Sequence, residues 1–242
     1  MDIIVNALID SVYTALYFVV VGLVAIFVRY VLKIKGEWYR KILHLSFMLS
    51  ILCWLYIFDY WYTAAITIAI FLIMALIGLT VLERFSFYKD LLAEREQKGE
   101  VKLSLSIAFL VMAGGICFFW GIYGPDYKYI VLASIFAWGT GDALAALVGK
   151  QKRSKIISHE SNVSNKTIEG TIAMFLASTI VIFLVIFFVG KQQLFYSVIV
   201  SLIAGIVGTV VEFYSKKGLV TLTLPVSLMV ILYVCQLSIN YF

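Results

Sequence analysis

The sequence predicts an all-α, polytopic membrane protein with about eight transmembrane helices in a single domain covering residues 1–242. Three observations predict it. The 242 residues are 63% hydrophobic and only 14% charged, with a mean hydropathy of +1.01, whereas soluble domains average about half apolar and about a quarter charged. Apolar runs recur along the whole chain, each close to the ~20 residues a helix needs to cross a hydrocarbon core. The basic residues punctuate these runs instead of forming one continuous patch, which excludes nucleic acid as a partner. Two prolines argue against long linkers, and no low-complexity tract or internal repeat is visible.

The spans follow in order. The first, 11–32, lacks a basic region and a small-residue cleavage site, so it reads as a retained helix and not a cleaved signal. The second, 42–58, starts behind Arg40 and Lys41 and stops at Asp59, and the third, 61–82, runs up to Glu83 and Arg84. The fourth, 103–121, follows the mixed-charge stretch EREQKGEVK, and the fifth, 128–149, lies between Lys128 and Lys150. The sixth, 168–189, seventh, 194–212, and eighth, 219–240, are set apart by Lys191 and by Lys216 and Lys217. Cys53, Cys117 and Cys235 each lie inside an apolar run, at no metal spacing, and read as packing residues. With eight spans, every one of the 19 basic residues except Lys128 and Lys191 falls on one side. Because cytoplasmic loops collect Lys and Arg, this places both termini on the non-cytoplasmic side.

The polar residues that are awkward for a membrane protein gather at the same cytoplasmic face. The segment GTGDALAALVGK, residues 139–150, carries Asp142 inside a span. A carboxylate there costs several kcal/mol unless it is paired, hydrated or bound to a cation. Capping, or a pair with Lys150, is the plain alternative. Gly139 and Gly141 permit close approach of a backbone or a phosphate, and Ala143, Ala145, Ala146 and Gly149 suit tight helix contact. The second segment, NKTIEGT at 165–171, opens a helix with Thr167, Glu169 and Gly170. A helix start offers free N–H groups to an anion, and Lys166 adds a charge suited to phosphate. Ordinary capping explains the same pattern.

In RKILH, residues 40–44, Arg40 and His44 share one helix face; a snorkelling anchor would look the same. Glu212 ends the seventh span in VVEFYSKKG, where Lys216 is a possible partner. The stretch EREQKGEVK reads as a solvated connector, with Glu100 its best contributor to a site. Together these residues supply acids for a divalent cation, lysines for phosphates and glycines for clearance. Magnesium is held by one or two carboxylates plus substrate phosphates, and phosphoryl transfer depends mainly on positioning and charge neutralisation. At a membrane face this implies a water-soluble phosphate donor and a lipid acceptor. GxxxxGK[ST] and the protein-kinase signatures are absent from the sequence.

GDALAALVGK followed by NKTIEGT resembles the paired motifs of the CTP-dependent lipid kinases, the family of dolichol kinase, phytol kinase and yeast-type diacylglycerol kinase. RKILH resembles the family's early Arg-Lys-x-x-His, and VVEFYSKKG with LTLP resembles its C-terminal elements. The similarity spans nearly the whole chain in the family's order. Gly141, Asp142, Ala143, Ala145, Ala146 and Gly149 match the first motif; Lys166, Glu169 and Gly170 match the second, with Thr167 and Thr171 in place of serines. Two departures stand out: KQKRSK where a further glycine is usual, and Val220 and Thr221 where the family has Asp-Asn.

The resemblance implies a membrane kinase that moves the terminal phosphate of CTP onto a lipid alcohol. An isoprenoid alcohol such as phytol, farnesol, geranylgeraniol or a polyprenol is the first choice of acceptor, and diacylglycerol the second. In this scheme Asp142 and Glu169 hold Mg2+, with Glu212 helping. Lys166, Lys150, Lys152 and Lys155 neutralise the triphosphate, alongside Gly139, Gly141, Gly149, Gly170, Arg40 and Lys41. Asp142 or His44 is the base. Members of the family are also labelled phosphatidate cytidylyltransferases, and a CDP-lipid-forming enzyme would use the same groups. The lost carboxylate at Val220 keeps an inactive homologue in view. A transporter would place its charges at the midplane of repeated halves, which this sequence does not do.

Overall fold

The computed structural model describes residues 2–85, 100–150, 156–158, 166–216 and 218–239. Among these the chain forms eight long helices: α1 (Asp2–Ile26), α2 (Gly36–Tyr56), α3 (Trp61–Leu82), α4 (Glu100–Gly115), α5 (Lys128–Gly149), α6 (Ile168–Leu184), α7 (Leu194–Tyr214) and α8 (Val220–Ile239). Among the described residues seven helical stretches are long and apolar enough to cross a membrane. The eighth helix, α2, carries Glu37, Arg40 and Lys41 in its first turns. The protein is thus a helical, multi-pass membrane protein. Its apolar side chains also lie outermost, with Leu8 63% and Val12 66% exposed on α1 and Ile73 58% exposed on α3. Such faces would be a liability in water and are ordinary against lipid.

Helix ends depart from the sequence expectation in two ways. α1 begins at Asp2 and not at residue 11, because Ile3 to Ile9 continue the apolar helix past the length a bilayer requires. α1, α4 and α6 also run on into π-helical turns, at Phe27–Val31, Ile116–Ile122 and Val185–Val189. All three are rich in aromatic and β-branched side chains, the residues most crowded in α-helical turns.

The sequence suggests one domain, and the chain divides into two compact units, Met1–Gly121 and Ile122–Phe242. In the first unit α1 packs on α2 and α3, and α3 packs on α4. Its core is aromatic. Trp54, fully buried, meets Phe71 edge-on at 5.5 Å and stacks on Phe58 at 5.9 Å, while Phe47 meets Phe109 at 5.1 Å. Such pairs contribute beyond their buried area. Lys102 ties the start of α4 to the end of α3 through Glu83 at 2.8 Å and Thr80 Oγ1 at 3.1 Å. Arg29, buried in the π-helical end of α1, lies over the Tyr39 ring at 5.3 Å.

In the second unit α5, α6, α7 and α8 close a circuit, each touching the next and α8 returning to α5. α5 belongs to the most buried of the seven spans, with Ile130, Ile135 and Trp138 buried on it and Met174 and Ile182 buried on α6, the helix it packs against. Gly124, with φ +99°, turns the chain, and Pro125 opens the short 3-10 turn into α5. At that end Tyr129 donates to Gln236 Oε1 at 2.7 Å, and Tyr123 packs against Tyr233 at 4.9 Å. These tyrosines are the kind of belt that marks a membrane–water interface.

Candidate functional site at one end of the second unit

The motif residues of the second unit gather at the end opposite the tyrosine belt. The chain leaves α5 at Lys150, forms strand β1 (Ile156–Ser158), and returns through β2 (Lys166–Thr167) directly into α6. The strands pair antiparallel, Ile156 with Thr167 and Ser158 with Lys166. This ribbon is too short to show as periodicity in the sequence. It fixes the backbone of Lys166 and presents Thr167 in an extended conformation (φ −120°, ψ 152°) as the N-cap of α6. Thr167 Oγ1 accepts the Gly170 N–H at 3.2 Å, the capping arrangement that Thr at this position favours.

Lys166 Nζ donates to Glu212 Oε1, with the two side chains 12% and 6% exposed. The partner that sequence proximity suggested for Glu212, Lys216, is replaced by a residue far away in the chain. The sequence shows only that opposite charges end two spans at the same face; it does not show that α6 and α7 pack so as to pair them. The pair ties the start of α6 to the last turn of α7. Ser215 Oγ and Thr223 Oγ1, 2.7 Å apart, then join the end of α7 to the start of α8. Val220 and Thr221, the positions where the resemblance breaks down, open α8 at this same end.

The glycines of the two motifs serve contact between α5 and α6. A methyl group on Gly170 would lie 2.9 Å from the Ala145 carbonyl oxygen, 3.0 Å from Thr167 Oγ1 and 3.3 Å from Gly149 Cα. One on Gly149 would lie 2.8 Å from Thr167 Oγ1, and one on Gly141 would lie 2.5 Å from Met174 Sδ. Gly139 is also buried within α5. The space a side chain would take at Gly141, Gly149 and Gly170 is therefore occupied by α5–α6 packing, one of the two uses, backbone or phosphate, that the sequence leaves open at Gly141.

These contacts fix the register. Gly141 is level with Met174, and Ala145 with Gly170, in an antiparallel pair. Asp142 thus lies two turns inside the end of α5, about 10 Å along its axis at 1.5 Å per residue. By this register Glu169, in the first turn of α6, is level with Ala146, an axial offset of four residues or about 6 Å from Asp142. Both carboxylates are half-buried, and Lys150 at the end of α5 is exposed. Lys152 and Lys155 lie outside the described residues. Arg40, Lys41 and His44 belong to α2 in the first unit, where Arg40 pairs with Glu37, Lys41 is buried and His44 is half-buried.

Among the described residues no three His, Cys, Asp or Glu side chains come together as a metal site. Magnesium takes hard oxygen donors, often only one or two carboxylates with phosphate and water completing the shell. Asp142 and Glu169 fit that donor set in kind; Glu212 is held by Lys166. The chain matches no protein-family model, and no curated protein and no solved structure is detectably similar to it.

Proposed function

We propose that this protein is a lipid kinase of the CTP-dependent type, transferring the terminal phosphate of CTP to a lipid alcohol, first an isoprenoid alcohol and second diacylglycerol. The observation that carries the reading is the convergence, at one end of the second unit, of the GDALAALVGK and NKTIEGT motifs with Glu212. Acids and a lysine share that end with the exposed Lys150, while Lys128 and Lys191 fall at the other end. The same charge asymmetry supports a cytoplasmic site and non-cytoplasmic termini.

In this reading Asp142 and Glu169 hold magnesium, which when bound would supply charge neutralisation on the phosphates. Lys166 turns from Glu212 to a phosphate oxygen, Lys150 adds positive potential, and the α6 N-terminus faces the anion with its first-turn N–H groups. The glycines act indirectly, by holding α5 and α6 close enough to keep Asp142 and Glu169 in register. The acceptor's proton passes to Asp142. A half-buried carboxylate at the membrane end of α5 suits a hydroxyl delivered from the lipid side.

The test is incubation of the purified protein with magnesium, a panel of lipid alcohols, and CTP labelled separately in the base and at the terminal phosphate. Terminal label alone should enter the lipid. Base label in the lipid would instead identify a cytidylyltransferase, and label in no lipid would sink the proposal.

A further inference from the structure

We infer that the Lys166–Glu212 pair makes the site selective for phosphate that arrives already chelated to a divalent cation, against the free phosphate anion and the free cation alike. This rests on the nucleotide reading above and adds a rule for which ligand species the site accepts. The two side chains are hydrogen-bonded and nearly enclosed, 12% and 6% exposed. Each is anchored on rigid backbone, Lys166 on the β2 strand beside the capped start of α6 and Glu212 in the last turn of α7. Breaking a buried pair on one side leaves a buried charge uncompensated, which is strongly unfavourable.

That cost falls differently on three ligands. A free triphosphate can draw Lys166 away only by leaving Glu212 bare beside its own negative charge. A free cation can draw Glu212 away only by leaving the ammonium of Lys166 bare beside another positive charge. A cation–phosphate chelate brings both signs: a phosphate oxygen accepts from Lys166 while the cation, or a water bound to it, faces Glu212. The exchange swaps one set of charge contacts for another and strands neither residue. Glu212 thus acts as a positioning and selectivity residue, and its engagement by Lys166 is the closed state of the site.

Binding of CTP to the full-length purified protein in detergent, by calorimetry and by thermal stabilisation, tests this. It is measured with magnesium and with EDTA, for the wild type, Glu212→Gln and Lys166→Met. Wild type should bind the magnesium chelate at least about tenfold more tightly than CTP in EDTA, as expected when one partner of a buried charge pair is otherwise stranded. Magnesium alone should not stabilise it. Glu212→Gln should bring the two affinities within about threefold, mainly by improving binding of free CTP, whose cost of stranding a carboxylate is gone. Lys166→Met should weaken binding of the chelate. Equal wild-type affinity with and without magnesium, which needs no variant, would overturn the inference, as would an unchanged ratio in folded Glu212→Gln. Failure of wild type to bind CTP in any form would remove the nucleotide reading itself, and this inference with it.

Discussion

Gly170→Ala tests the α5–α6 seam on which the register of Asp142 and Glu169 depends. The added methyl would meet the Ala145 carbonyl oxygen at 2.9 Å and Gly149 Cα at 3.3 Å. Both are backbone atoms of a packed helix, which cannot rotate aside as a side chain can. Overpacking of this kind costs ~1–3 kcal/mol, offset by up to ~1 kcal/mol of helix propensity gained over glycine. With the full offset the net expectation is a loss of up to about 2 kcal/mol, read by reversible unfolding in mixed detergent micelles. Two controls sharpen it. At Gly141 the obstacle is Met174, its Sδ at 2.5 Å and Cε at 2.9 Å, a flexible side chain that can change rotamer, so Gly141→Ala should lose less than about 1 kcal/mol. At Gly78 nothing lies within 4 Å, so Gly78→Ala should be neutral or stabilising. A stable Gly170→Ala beside an unstable Gly78→Ala would refute this account of the seam.

Three further outcomes follow from the same contacts. Lys166→Met should destabilise by about 3–5 kcal/mol by stranding Glu212, and adding Glu212→Leu should recover most of it, since apolar replacement of a buried pair is often neutral; a double-mutant unfolding cycle reads the coupling. Thr167→Ala should cost about 1 kcal/mol by removing the α6 cap, seen as faster amide exchange in the first turn of α6. Lys102→Ala, which removes the partly exposed ion pair with Glu83, should change stability by less than about 1 kcal/mol in the same unfolding assay.

The helical spans were readable because charged residues bound them: Glu83 and Arg84 close α3, and Lys150 follows α5 directly. The true start of α1 was not, since bilayer thickness says how long a span must be and not how long it continues. The π-helical ends at Ile116–Ile122 and Val185–Val189 escaped because their residues are as apolar as the helix before them. Within the candidate site, Thr167 as a cap was legible from local chemistry, and the structure bears it out. The bond from Lys166 to Glu212 was not, because it joins residues 46 positions apart and depends on how α6 and α7 pack. The glycines left two uses open for a related reason. A position that must be small looks the same in sequence whether a phosphate or a neighbouring helix fills the space, and at Gly141, Gly149 and Gly170 the helix fills it.

The most direct test of the central claim is the rate of terminal-phosphate transfer from CTP to a lipid alcohol by wild type and Asp142→Asn, at saturating magnesium, with both proteins shown to be folded. Removing a carboxylate that serves the transferring phosphate should cost several kcal/mol of transition-state stabilisation, a fall of about a hundredfold or more. Turnover by Asp142→Asn within about threefold of wild type, a difference below 1 kcal/mol, would contradict the account.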